Sequence, residues 1–163
     1  MTGTESPFAI IAKYQTLPIE VKGIARELGL PVTETYLGDN IAGQIIRAPG
    51  RSRSGFLIFV NSSEHPNRQR FTIAHEIAHF ILHRDLIEDG VTDDTLYRSP
   101  ELSSYLEVQA NRLAADILMP IRLLKREYAK TQDPRGLAKL FGVSPAAMDI
   151  RLKALSSASA GKP

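Results

Sequence analysis

An α+β fold is expected of these 163 residues, on three observations. Three strand-like segments (32–37, 41–47 and 55–61) follow one another, separated by the turn residues Gly38-Asp39-Asn40 and Pro49-Gly50. Helical patterns lie before and after that run instead of alternating with single strands, as a βαβ wrap would require. Apolar residues recur every three or four positions in 67–84 and 101–119, the mark of two long amphipathic helices. The length suits one domain, and residues 1–155 are read as one.

Taken in order, residues 18–29 read as a short helix, with Pro18 in its first turn and Gly29 just past its end. Among the strands, 55–61 is the most apolar and should be the best buried. The helix at 67–84 repeats Ile73, Ile77, Phe80 and Ile81, with Ala74 and Ala78 between them. An acidic, glycine-containing segment at 85–100 separates it from the helix at 101–119, which Pro120 interrupts. Shorter helices are expected at 121–129, 134–141 and 145–155. The closing Ser-Ser-Ala-Ser-Ala-Gly-Lys-Pro of 156–163 has the composition of a disordered tail.

Composition removes several kinds of chemistry. No cysteine is present, which excludes a disulfide scaffold, a thiolate metal site and a cysteine nucleophile. No run approaches the ~18 apolar residues of a membrane span, and the first residues lack a basic-then-apolar leader pattern. A cytoplasmic protein, with no membrane partner, is the expectation. Net charge is +2, too small to mark a nucleic-acid binder by composition. The charge is unevenly spread: seven acids stand against Arg98 between 85 and 107, and eight bases against three acids between 122 and 153. Two solvated faces of opposite sign account for this, with a partner-binding stripe as the alternative.

The chemistry lies in His75-Glu76-Ile77-Ala78-His79, midway along a helix. Residues four apart sit about 40° apart around the axis and ~6 Å along it, so both imidazoles can reach one ion. Two neutral nitrogens suit zinc, and Glu76, one residue after the first, suits a general base for a metal-bound water. Chance alone gives this pattern in a chain of this composition about 0.006 times. Two unrelated histidines on an exposed helix would be the bland explanation. The apolar neighbours Phe71, Ile73, Ile77 and Phe80 oppose it, because a buried helix must find partners for its polar groups.

A catalytic zinc takes three protein ligands and leaves one position open. His83 continues the four-residue series, but it stands about 12 Å along the axis from His75, out of reach of a shared ion. It is read as a histidine that holds a ligand in place, meets the substrate or is structural. A longer motif with glycine and a third histidine is absent, since Leu82 and Asp85 hold those positions. The helix at 101–119 is the obvious donor. One of its faces carries Glu107, Ala110, Asn111, Ala114 and Leu118, and the alanines permit a close helix–helix approach. There an unpaired Glu107 carboxylate would be costly, and a metal removes the cost. Glu101, at the helix start, and Asp116 are the rival acids. Asn111, on the same face, is a candidate to hold a ligand in place or to meet the substrate.

The run Arg70-Phe-Thr-Ile-Ala-His-Glu-Ile-Ala-His-Phe-Ile-Leu-His83, followed by Glu107-Val-Gln-Ala-Asn-Arg-Leu-Ala-Ala-Asp-Ile-Leu-Met-Pro120, resembles the ImmA/IrrE family of zinc metallopeptidases. Residues 137–152 fit the end of such a domain, and the resemblance covers about 21–155. It implies a zincin-like, gluzincin-type domain with its small sheet packed on an active-site helix. The implied metal is Zn2+, the implied ligands are His75, His79 and Glu107, and the implied base is Glu76. It further implies a cytoplasmic endopeptidase acting on helix-turn-helix repressors of mobile elements or stress regulons, as shorter, anti-repressor-like members do.

Two other functions compete. Residues 137–152 can be read as a helix-turn-helix around Gly142-Val143-Ser144, which would make the chain a DNA-binding regulator with a structural zinc. Against this, Ala146, Ala147, Asp149 and Ile150 offer few side chains that read bases, and a structural zinc wants four protein ligands. The other is a toxin or sensor module that keeps the metal but has little protease activity. For a peptidase, the substrate is expected to lie extended beside strand 55–61, or beside 41–47 if that strand forms the edge. The acidic segment 85–100 is the expected docking surface for a basic partner.

Overall fold

The computed structural model of the protein describes residues 3–87 and 100–160, so most of the acidic segment expected to dock a partner (88–99) lies outside the described residues. Within them, a mixed α+β architecture forms: seven α-helices and one three-stranded sheet.

The chain opens with a helix that sequence periodicity misses. Helix α1 (Pro7–Ala12) starts at Ser6, whose hydroxyl accepts from the Ala9 N–H at 3.2 Å, with Pro7 in the first turn. It adds Ile10 to the core. Helix α2 (Val21–Glu27) begins later than expected: Pro18 precedes it instead of opening it. Ile19 and Val21, 1% and 2% exposed, both turn inward. Residues two apart share a face only in extended chain, so the helix cannot start before them. Gly29, at φ +77°, then ends it as expected.

Strands β1 (Val32–Thr35), β2 (Gly43–Arg47) and β3 (Phe56–Asn61) lie close to their expected positions. Their order is β1-β3-β2. β3 pairs in parallel with β1 (Val32 opposite Ile58) and antiparallel with β2 (Ile45 opposite Ile58). The most apolar strand is therefore the central one, with Ile58 and Val60 fully buried. Both of its edges are taken, which overturns the expectation that a substrate could pair with segment 55–61.

Helix α3 (Pro66–His83) packs against the sheet and along α4 (Pro100–Leu118). Its N-cap is His65, whose Nδ1 accepts from the Asn67 N–H at 3.1 Å. The small residues do what their positions suggested: Ala74, Ala78, Ala110 and Ala114 are all fully buried where α3 meets α4. After α5 (Ile121–Lys130), helix α6 (Pro134–Phe141) ends on Gly142 in the left-handed region, φ +64°. The Val143 N–H reaches back to the Ala138 carbonyl at 3.0 Å, closing the turn into α7 (Pro145–Ala160). Arg70 of α3 donates to the Gly142 carbonyl at 3.0 Å, which ties this turn to the start of α3. α7 continues to Ala160, so 156–160 is helical where composition suggested a disordered tail. Alanine and serine carry a helix onward once an ordered turn precedes them. No helix among the described residues is long and apolar enough to cross a membrane.

Candidate metal centre

The central part of α3 is buried, and its polar residues point toward α4. His75 Nε2, His79 Nε2 and the Glu107 carboxylate converge, their atoms all within 4.8 Å of one another. The two Nε2 atoms stand 3.0 Å apart. Glu107 Oε1 is 2.9 Å from His79 Nε2, and Oε2 is 3.1 Å from His75 Nε2. Two donors each ~2.0–2.1 Å from a tetrahedral ion stand roughly 3.3 Å apart, so the triangle has the size of a coordination face.

The surrounding hydrogen bonds fix which nitrogens carry protons. His75 Nδ1 lies 2.9 Å from Asn111 Oδ1, an acceptor, so Nδ1 holds the proton and Nε2 presents a lone pair. A longer chain does the same for His79. The Gln109 amide donates to the Tyr105 hydroxyl at 3.1 Å, leaving its Oε1 to accept from His83 Nε2 at 2.9 Å. His83 Nδ1 is then an acceptor and takes the proton of His79 Nδ1, 2.9 Å away. Two lone-pair nitrogens and a carboxylate thus face one point. Mutual repulsion makes that arrangement stable only around a cation, so the residues present fit a divalent metal.

Electrostatics agree with this. Burial pushes the His79 pKa down, only partly offset by Glu107, which keeps the imidazole neutral. Burial pushes the Glu107 carboxyl up; with no cation present an imidazole N–H can turn to it instead, and hydrogen bonds from His75 and His79 then outweigh burial and hold it well below the usual carboxylate range. Both are in the protonation state a metal requires.

Glu76 is 1% exposed and reaches the wall of a cleft of about 960 Å³ that opens onto His75 and Glu107, two of the three converging groups. One side of the cleft is the lead-in to β2, Asn40 to Gly43. Gly43 permits this approach, since a Cβ there would overlap Thr72 Cγ2 and lie 2.8 Å from the Phe59 carbonyl oxygen. Asn61 at the end of β3 holds the lead-in: its amide donates to the carbonyls of Gly38 and Ile41, both at 2.7 Å. The far wall is α7, through Ala147, Ile150, Arg151 and Ala154.

Every site residue named from sequence falls in or beside this cluster. His83 is 6% exposed and joins His79 to Gln109, not to the converging point. Of the rival acids, Asp116 forms an ion pair with Arg151 at 2.8 Å, and the Glu101 side chain lies outside the described residues. Sequence reasoning missed Gln109, Tyr105 and Asn61. Nothing in their spacing marks them, because each acts across a tertiary contact.

An α+β frame thus carries a helical His-Glu-x-x-His pair that faces a carboxylate on a second helix, a group that could hold a metal ion. The chain belongs to the family described as Peptidase M78, IrrE N-terminal-like domain, which residues 25–153 match. Two curated relatives are each named radiation response metalloprotease IrrE. That of Deinococcus radiodurans is 45% identical over 66 residues, 39% of this chain and 19% of the relative. That of Deinococcus deserti is 41% identical over 70 residues, 42% of this chain and 24% of the relative. The matched stretch is therefore at most a quarter of these relatives' length. Among solved structures, a Mycobacterium tuberculosis transcriptional regulator shares the fold. Its TM-score is 0.59 at 18% identity, with 90% of this chain and 45% of that chain covered.

Proposed function

We propose that the chain is a zinc-dependent endopeptidase, a zincin-like domain of gluzincin type over residues 1–155. The convergence of His75, His79 and Glu107 beside a cleft that Glu76 also reaches carries the reading. The family membership and the name metalloprotease of the two Deinococcus relatives support it. His75, His79 and Glu107 would hold Zn2+, which when bound acidifies water and polarises a carbonyl. Glu76 accepts the proton of the attacking water and returns it to the leaving amine. Asn111 and His83 hold the two imidazoles in their metal-facing tautomers. The peptide lies extended beside Asn40 to Gly43, where main-chain groups can bond to it whatever its sequence.

The substrate proposed is a helix-turn-helix repressor of a mobile element or stress regulon, cut at one site in the cytoplasm. A DNA-binding role for the chain itself is disfavoured, since α7 turns Ala147, Ile150 and Ala154 toward the cleft. A module that binds metal with little protease activity predicts no turnover.

The test mixes zinc-loaded protein with the repressor encoded beside it. One discrete cut is expected, lost in Glu76→Gln while zinc content stays the same. Cleavage near the original rate by metal-loaded Glu76→Gln protein would refute the base, and no cut of the repressor by the unsubstituted protein would refute the substrate.

A further inference from the structure

We propose that the cleft holds a subsite for an acidic side chain of the substrate, read by Arg68 and Arg112. This deepens the peptidase reading and rests on it. The pairings His75–Asn111 and His79–Glu107 show that α3 and α4 run antiparallel, so the start of α3 lies beside the end of α4. In that register Arg112 stands level with Ala74, next to His75, and Arg68 lies six residues, about 9 Å, further toward the start of α3. Both line the cleft, which α7 also lines through Ala147, Ile150, Arg151 and Ala154. An extended peptide covers that distance in roughly two or three residues.

The charge of this lining is unbalanced. Arg151, the third arginine on the wall, is bound to Asp116 at 2.8 Å and to the Met119 carbonyl at 2.9 Å. Arg68 and Arg112 are exposed and make no ion pair or hydrogen bond with another described residue. Among the described carboxylates, Asp116 stands four residues from Arg112 on α4 but is held by Arg151, and Glu107 already faces two imidazoles. The cleft lining also includes the apolar Phe71, Ala115, Met119 and Ile150. An exposed guanidinium still pairs bidentately with a carboxylate, and the apolar lining accepts a short aliphatic stem. The shape therefore takes a residue with a short apolar stem and a carboxylate head, glutamate or aspartate. Substrate segments with such a residue two or three positions from the scissile bond are selected.

The probe is a pooled library of N-acetylated, C-amidated octapeptides, retained on immobilised zinc-loaded Glu76→Gln protein and read by mass spectrometry. Retained peptides should be enriched about tenfold in Glu and Asp over Gln and Asn, the discrimination of one charge-assisted contact of ~1.4 kcal/mol. Enrichment should vanish in Arg68→Ala/Arg112→Ala and turn toward Lys and Arg in Arg112→Glu. It should persist in Arg122→Ala/Lys125→Ala, which removes the same charge from the exposed side of α5. Absence of enrichment, or an equal loss in the α5 variant, overturns the subsite. Enrichment only in a parallel pool with free C-termini also overturns it, assigning the arginines to a terminal carboxylate. Cleavage of the retained peptides by the unsubstituted enzyme reads the peptidase activity separately: acidic enrichment without cleavage tells against that activity and leaves the subsite standing.

Discussion

At the scale of single residues, the centre depends on who holds each proton. Glu107 completes the triangle with His75 and His79, so Glu107→Ala should lower zinc affinity by more than about 100-fold, beyond the usual effect of losing an outer partner. Equilibrium dialysis against a chelator of known affinity measures it, and unchanged occupancy would remove Glu107 from the ligand set. His83 touches no converging atom but accepts the His79 Nδ1 proton. His83→Ala should therefore weaken zinc binding about 10- to 100-fold while leaving secondary structure by circular dichroism intact. Wild-type affinity in that variant would reduce His83 to a packing residue. The motif 75–79 was plain from spacing. The link to Gln109 was not, because residues 107 and 109 lie on different sides of an isolated helix and meet α3 only through the crossing of the two.

Among the elements, the contact between β2 and α3 forms the cleft wall. Gly43→Val would drive its side chain into Thr72 and toward the Phe59 carbonyl. A loss of about 1–3 kcal/mol is expected from such overpacking, read as a lower denaturation midpoint with unchanged slope. A midpoint equal to that of the parent protein would show that β2 can shift at little cost. The same contact explains what patterning could deliver. Strand-like segments between turn residues located all three strands within a few residues, and period 3.6 located α3 and α4. Helix α1 was signalled only by Ser6-Pro7, a capping pair too short to show a period. The start of α2 moved because Ile19 is needed in the core as extended chain.

For the molecule as a whole, sheet order decides where a substrate can lie. β3 is bonded on both sides, whereas the lead-in 40–43 borders the cleft. With a bound, uncut substrate on Glu76→Gln protein, amide exchange should slow at 40–43 and stay as it was in Phe56–Asn61, already paired in the free protein. No added protection at 40–43 would discard the proposed path of the peptide.

The amino-acid sequence by itself determined the α+β class and the two long helices, and it pointed to His75, Glu76 and His79 and to Glu107 ahead of Glu101 and Asp116 as candidates. The elements follow from local periodicity, and the preference for Glu107 follows from the cost of burying a carboxylate on the apolar face of one helix against another. Tertiary structure alone decided the β1-β3-β2 order, the relay from His79 through His83 to Gln109, the anchoring of 38–41 by Asn61, and the presence of Arg68 and Arg112 in the lining of one cleft. Each of these joins residues distant in the chain, and such partners are chosen by packing and hydrogen-bond closure, which no local period encodes.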